Sequence, residues 1–493
     1  MKKKVDLRVV AEVVVALLLG FLFCLKFSLA TSPLYGLSLH AHDSAIFSII
    51  GKYWAEGAVP YVELWDHKGP VIFFVNCIGY LLSGDNWLGL FFIQFLSVGT
   101  FTLFVYKTFR LRFNETVSWA LSVIALFWLA CSYEGGNMTE EYLLPFLSAA
   151  FYNLLKWIDA YEKERCDHSP WNAFLLGFIL SFSFLTRLTN ALGACGAMFA
   201  IGLVLLRDKR WKNLLQNVLA YVCGFLVLFL PFALYFLSKG AFQDFVFGSF
   251  TYNVSNMKAT AGGLHNPYWV KYILPFSIMA VNCFGLAFVS AYMFFSNRDH
   301  RVGALVWLCA TLFLSSWLFR SSLMSHYRTV ALPFFPVLVL ELFRLKRGFH
   351  PVLRYGLLAL LAIGPVFITL RKWNSFTDYY DRPYAVEIAK DVQDDVPQEA
   401  LARMAVYDDP QVYLVLGIKP VYRNFSFPGT QGRKNDRLKE DILSEYGSCQ
   451  AEYILTRGET SLIQAILDAS YDYVKTYPES GNYRLWKRRD IDG

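Results

Sequence analysis

Between His40 and Phe74 the chain reads HAHDSAIFSIIGKYWAEGAVPYVELWDHKGPVIFF, and Asp43, Asp66, His67 and Lys68 within it are the side chains best placed to do chemistry. A carboxylate can take a proton from a hydroxyl, and an ammonium nearby can hold an anion as charge develops on it. Asp43 is the preferred base, because it belongs at a helix start near a bilayer edge, where partial burial would raise its proton affinity; capping that helix is the plainer role and is compatible with the first. Lys68 precedes Gly69-Pro70, which leaves room for a headgroup to approach the backbone, and its flexible stem suits either a phosphate contact or simple snorkelling to the interface. Asp66 and His67 are read as orienting or acceptor-binding groups, against the alternatives of a surface carboxylate and a polar packing residue.

Further polar residues stand at the ends of apolar runs. Glu140 and Glu141 lie in GGNMTEEYLLP, where Thr139 can cap the following helix and carboxylates favour its positive end. Arg187 lies in FLTRLTN, and Arg320, His326, Tyr327 and Arg328 belong to another turn. Arginine forks suit phosphate oxygens, although arginines are also common where spans end. His40 and His42 beside Asp43 invite a divalent metal, but the spacing is loose and no D-x-D pair stands nearby; no metal ligand or cofactor is assigned, and a divalent ion stays the open alternative. Walker, G-x-S-x-G and G-x-G-x-x-G patterns do not occur in a suitable strand-to-helix setting.

These groups are set in a hydrophobic chain. Of 493 residues, 55% are hydrophobic and 17% charged, and mean hydropathy is +0.36, which predicts a polytopic α-helical membrane protein. The net charge of +7 falls in short basic clusters between apolar runs, a membrane-orientation pattern, so nucleic acid is not an expected partner. Most of the nine cysteines lie in apolar segments, where cysteine packs as a small hydrophobe, and no C-x-x-C pair suggests zinc or redox work. The N-terminal apolar run has no convincing small-residue cleavage site and is read as a retained first span.

Runs long enough to span begin near Val9, Trp87, Val117, Tyr142, Trp171, Ala191, Val218, Lys271, Gly303, Thr329 and Val352, about eleven transmembrane helices. The run from Pro70 to Ser83 would reach only about 21 Å as a helix, against a hydrocarbon core of about 30 Å. Laid at the interface, it leaves every strongly basic loop on one side, so the N-terminus is expected inside and residues 31–86 form one external loop with two interfacial helices. Ser44 to Glu56 is the first of these, with Ile46, Ile49, Ile50 and Tyr53 at helical spacing and Gly57 ending it. Pro70 stands at the first turn of the second. Two domains are expected, a transmembrane catalytic domain over 1–370 and an extracytoplasmic α/β domain over 371–493. In the latter, Met404 to Tyr407 and Tyr453 to Thr456 read as strands, and Tyr384 to Val392, Asp436 to Tyr446 and Thr460 to Ala469 as helices.

An acidic residue in the first external loop, an interfacial helix, the G-x-x-P-Y of Gly57 to Tyr61, and Asp66-His67-Lys68-Gly69-Pro70 opening a short apolar helix together resemble the GT-C superfamily of polyprenyl-phosphate-sugar-dependent glycosyltransferases, in the bacterial branch near protein O-mannosyltransferases and the lipid A aminoarabinose transferase. The resemblance covers roughly residues 1–370 and implies the GT-C fold. It makes Asp43 the catalytic carboxylate and Lys68 the contact to the lipid phosphate, although the related K-P-P motif reads Lys68-Gly69-Pro70 here. It also maps a second acidic motif onto Glu140 and Glu141, which places them with Asp43 among the catalytic carboxylates, and the outer turn near the lipid head onto His326 to Arg328 and Leu332-Pro333.

The implied activity is inverting transfer of a single sugar from a polyprenyl-phosphate donor, undecaprenyl phosphate in a bacterial cytoplasmic membrane, to an extracytoplasmic glycan, lipid or protein. A transporter or flippase of lipid-linked sugars is the alternative from another class. It fits less well, because transporters set charges near the bilayer midplane, whereas here they sit at span ends. A ligase or polymerase moving whole oligosaccharides from a pyrophosphate lipid shares the chemistry and stays open.

Overall fold

The structure, a computed structural model, describes residues 6–35, 42–255, 269–318, 325–345, 351–371, 373 and 384–489. Among the described residues, nine α-helices come first: α1 (Leu7–Phe27), α2 (His42–Ala55), α3 (Pro70–Ser83), α4 (Leu88–Phe109), α5 (Glu115–Ala130), α6 (Thr139–Glu164), α7 (Pro170–Phe184), α8 (Leu192–Arg207) and α9 (Trp211–Ser238). Helices Trp269–Ser296, Arg301–Leu318, Phe334–Arg344 and Pro351–Arg371 follow. An apolar helix thus stands at each of the eleven places where a span was expected.

Among the described residues, six stretches are long and apolar enough to cross a membrane: Leu7–Phe27, Leu88–Phe109, Leu188–Arg207, Trp211–Ser238, His326–Arg344 and Pro351–Arg371. Length and composition suffice for crossing in these six and not in all eleven. Helices α5 and α7 are shorter, with 16 and 15 residues. Helix α6 is long, at 26 residues, but carries Glu140 and Glu141 in its first turn.

Two compact units divide the chain. The first comprises Met1–Ser28, Phe92–Phe232 and Leu264–Phe376. Here α8 packs on Arg301–Leu318, which packs in turn on Trp269–Ser296. Helices α7 and α9 cross at two glycines: a Cβ on Gly177 would stand 1.9 Å from the Tyr221 carbonyl oxygen, and one on Gly224 2.0 Å from that of Phe174. Only glycine permits backbones this close, the packing device typical of helices in lipid. The other face of α9 exposes Leu215, Leu219, Val222, Val227, Leu230, Leu234 and Leu237, an apolar stripe suited to acyl chains. At one end, Arg344 meets Asp159 at 2.7 Å, Glu162 at 3.0 Å and Glu341 at 3.0 Å. Each of these charges is thereby paired, the condition under which a buried charge is tolerated.

The second unit comprises Leu29–Phe91, Ala233–Gly263 and Thr377–Gly493. Its C-terminal part carries a four-stranded sheet in the order β1 (Met404–Tyr407), β2 (Tyr453–Thr456), β4 (Tyr483–Arg488), β3 (Tyr471–Tyr477). Strands β1 and β2 are parallel, and β4 runs antiparallel to both β2 and β3. The two expected strands appear with the expected bounds, and the hairpin β3–β4 is an addition. Helix Tyr384–Asp395 and helix Asp436–Gly447 lie where expected, while the last helix is shorter, Gln464–Ser470, starting four residues later than expected because 461–463 form a turn.

Within this unit α2 packs against α3 and against helix Pro410–Leu416. Ile46, Ile49, Ile50 and Tyr53 are buried, as are Ser44, Ser48 and Lys52. Helix α3 instead presents Phe74, Ile78, Leu81 and Leu82 outward.

Candidate functional site

Helix α2 begins at His42, so Asp43 lies inside its first turn and not before it as a cap. Its carboxylate lies near the positive end of the helix. The helix ends at Ala55 and the chain turns at Gly57, whose φ of +103° is a conformation open to glycine. The chain then returns through Tyr61 and Trp65 to Pro70, the first residue of α3, whose missing N–H costs nothing at that position.

Between these helices the Asp66-His67-Lys68 backbone is pinned from three sides. Tyr61 donates its hydroxyl to the Lys68 carbonyl at 2.7 Å and accepts from Ser249 Oγ at 3.1 Å. Asn253 Nδ2 donates to the His67 carbonyl at 2.7 Å. Trp65 donates its N–H to the Arg423 carbonyl at 2.9 Å. Tyr61, Ser249 and Trp65 are buried, so these bonds form away from competing water.

The side chains follow from that backbone. Asp66, 2% exposed, accepts from the Lys68 N–H at 3.0 Å on one oxygen and from Ser426 Oγ at 2.8 Å on the other. Its second oxygen also faces His67 Nδ1 at 3.4 Å. Burial pushes the Asp66 carboxyl up, but His67, Lys68 and the Ser426 hydroxyl more than offset it and hold the group well below the usual carboxylate range.

Lys68 Nζ lies 3.0 Å from His67 Nε2 and 3.9 Å from Asp43 Oδ2. An ammonium only donates, so Nε2 is the accepting nitrogen and the neutral imidazole carries its proton on Nδ1, toward Asp66. Gln431 closes the other side, its amide 3.2 Å from His67 Nδ1 and bonded to the Tyr252 hydroxyl. Asp43 keeps about a third of its side chain exposed, 32%, and Lys68 12%, so a ligand can reach both.

A second cluster lies in the first unit. Glu140 accepts from Arg187 at 3.4 Å and Asn190 at 3.2 Å on one oxygen, and from Thr139 Oγ1 at 2.8 Å on the other. The Arg187 guanidinium stacks on the Tyr327 ring, 3.0 Å from its centroid. His326 bonds Glu134, whose charge also acts on Arg328. Glu141 accepts from Tyr133 at 2.6 Å, Gln94 at 3.1 Å and the Asn137 N–H at 2.8 Å. Thr139 is the first residue of α6 and Met138 its cap, which corrects the capping role expected of Thr139.

Of the residues singled out in the sequence, Asp43, Asp66, His67 and Lys68 come together, as do Glu140, Arg187 and Tyr327. His326 and Arg328 gather around Glu134. His40 and Arg320 lie outside the described residues, and of His42 only the backbone is described. Among the described residues, no three His, Cys, Asp or Glu side chains gather to hold a metal ion. Ser249, Asn253, Ser426 and Gln431 were not legible as site residues, since nothing in their local sequence marks a polar group that bonds a loop 186 to 364 residues away.

A sequence model of the Dolichyl-phosphate-mannose-protein mannosyltransferase family matches residues 67–236, a segment that begins at His67 and includes Lys68. No curated protein matches the chain. Among solved structures, ArnT from Cupriavidus metallidurans in the apo state superposes with a TM-score of 0.55 at 13% identity, covering 97% of each chain. The same protein bound to undecaprenyl phosphate gives 0.52 at 12% identity, covering 99% of each. The oligosaccharyltransferase of Archaeoglobus fulgidus in its apo form gives 0.52 at 13% identity, over 97% of this chain and 75% of that one.

Proposed function

Starting from the GT-C fold that this chain has, we propose that it is an inverting glycosyltransferase which moves one sugar from a polyprenyl-phosphate donor, undecaprenyl phosphate in a bacterial cytoplasmic membrane, to an extracytoplasmic glycan, lipid or protein. The observation that carries this reading is the approach of the Lys68 ammonium to within 3.9 Å of the Asp43 carboxylate. A base and a phosphate-binding cation thereby occupy one partly open site. The match that begins at His67 supports it.

In the reaction, Asp43 takes the proton from the acceptor hydroxyl as its oxygen forms a bond to the anomeric carbon. The bond from that carbon to the phosphate oxygen breaks, and the electron pair leaves on the phosphate. Lys68 turns from His67 and Asp43 toward that oxygen and holds the charge as it grows. His67, fixed by Asp66 and Gln431, sets the direction from which the ammonium departs. Tyr327 and Glu140 hold the Arg187 guanidinium, and a phosphate-binding role for Arg187, Arg320, His326, Tyr327 and Arg328 follows from the resemblance alone. Glu141, with three donors on its two oxygens, holds the start of α6. No step requires a metal from these residues.

Asp43→Asn in the purified full-length protein is expected to reduce turnover by about 10²- to 10⁴-fold with little change in fold. Near-normal turnover removes Asp43 as the base. Mass spectrometry of the product shows one added sugar on this reading, and a transferred oligosaccharide overturns it in favour of a ligase.

A further inference from the structure

One short segment of the C-terminal part steadies both members of the Asp66-His67 pair. Ser426 Oγ donates to Asp66 at 2.8 Å, and the Gln431 amide lies 3.2 Å from His67 Nδ1. Between them the chain forms the short helix Pro428–Gly432, in which the N–H groups of Thr430 and Gln431 donate to the Phe427 carbonyl at 3.0 and 2.9 Å. Those bonds are internal to the turn. They shape it without tying it to the rest of the fold.

Asp408 supplies a tie to the sheet. It follows the last residue of β1, and its carboxylate accepts the Gly429 N–H at 3.2 Å. Its φ is +64°, a left-handed conformation that aspartate tolerates better than most residues. The fit at Gly429 is close: a Cβ there would stand 2.7 Å from Asp408 Oδ2 and 2.7 Å from the Tyr407 hydroxyl. Glycine therefore lets the carboxylate reach the backbone. The Tyr407 hydroxyl is buried and makes no hydrogen bond among the described residues, so the polar hold on this part of the turn comes from Asp408.

The same residue opens a second path toward Lys68. From Asp408 the chain runs through Asp409 into helix Pro410–Leu416, which packs on α2, the helix that carries Asp43. Asp408 is thus joined through the chain to the helix against α2, and through a hydrogen bond to the turn that touches His67. The Lys68 ammonium lies between the ends of these two paths, 3.0 Å from His67 Nε2 and 3.9 Å from Asp43 Oδ2.

We propose that Asp408 is a positioning residue of the donor site: by holding Gly429 it sets the turn from which Ser426 and Gln431 fix Asp66 and His67, and so places the Lys68 ammonium for the lipid phosphate. This rests on the reading of Lys68 as the phosphate contact.

The test measures binding of undecaprenyl phosphate to the full-length protein in nanodiscs. Asp408→Gly removes the carboxylate while suiting the left-handed backbone, and is expected to weaken binding about fivefold. Asp408→Asn keeps an acceptor oxygen and the same backbone tolerance, and should stay within about twofold of wild type. Gly429→Ala forces the carboxylate off the N–H and should match Asp408→Gly, which decides the matter if Asp408→Gly does not fold. Lys68→Ala should weaken binding about 10-fold, and adding Asp408→Gly to it should cost nothing more, because Asp408 acts through that ammonium. Wild-type affinity in Asp408→Gly or Gly429→Ala, a loss in Asp408→Asn as large as in Asp408→Gly, or a further loss of about fivefold in the Lys68→Ala background overturns the inference and leaves the donor site standing. Wild-type affinity in Lys68→Ala overturns the donor site itself.

Discussion

Asp66→Asn tests the idea that a buried carboxylate aims the site. In the native protein the carboxylate accepts two hydrogen bonds, from the Lys68 N–H and from Ser426 Oγ, and faces the imidazole proton of His67. Asparagine keeps one oxygen for the Lys68 N–H but turns an amide group toward Ser426 and His67. Replacing a charged acceptor by a neutral one loses about 1 kcal/mol per bond, and opposing two donors at His67 adds a comparable amount, so the expected loss is about 2–3 kcal/mol. The pH dependence has a definite sign. Because the Asp66 carboxyl is held below its unfolded value, its contribution is fully present above that value, about 3.9, and is lost as pH falls below it toward the depressed folded value. Thermal unfolding of the detergent-solubilised protein should therefore show a lower midpoint for Asp66→Asn at pH 7, and the gap from wild type should narrow below about pH 4. A variant as stable as wild type at pH 7, or a gap that stays constant into acid, would refute the account of Asp66 as an ionised anchor.

Gly248→Ala should damage the same loop by crowding. A Cβ there would stand 2.6 Å from the Tyr61 ring, displacing the tyrosine that bonds the Lys68 carbonyl; a loss of about 1–3 kcal/mol is expected in thermal unfolding, with weaker binding of undecaprenyl phosphate beside it. An unchanged midpoint would mean that the Tyr61 ring is not fixed. Glu141→Gln should lower the unfolding midpoint through its three donors by about 1–3 kcal/mol, while turnover falls by much less than for Asp43→Asn. A turnover loss as large as that of Asp43→Asn, with no loss of stability, would make Glu141 catalytic.

The match beginning at His67 includes the lysine but not the aspartate, so the carboxylate half of the pair rests on geometry. That geometry depends on a loop held by segments distant in sequence. Ser426 is 360 residues from Asp66, and Gln431 is 364 from His67. The C-terminal α/β part thus contributes directly to the surroundings of Lys68, a role that its composition as a soluble domain does not suggest.

What the sequence by itself determined is local. Pro70 at a first-turn position marked the start of α3, alternation of helical and extended patterns placed β1 and β2, and runs of apolar residues marked the eleven helices, since periodicity and backbone restriction act over a few residues. The hairpin β3–β4 escaped because the middle of β3 is exposed and lacks a buried alternating face. The start of α2 one residue before Asp43, the pairing of Glu140 with Arg187, and the seating of Gln431 beside His67 were decided by tertiary structure. A buried polar group must find a partner wherever folding brings one, and no short stretch of sequence encodes which distant residue that will be.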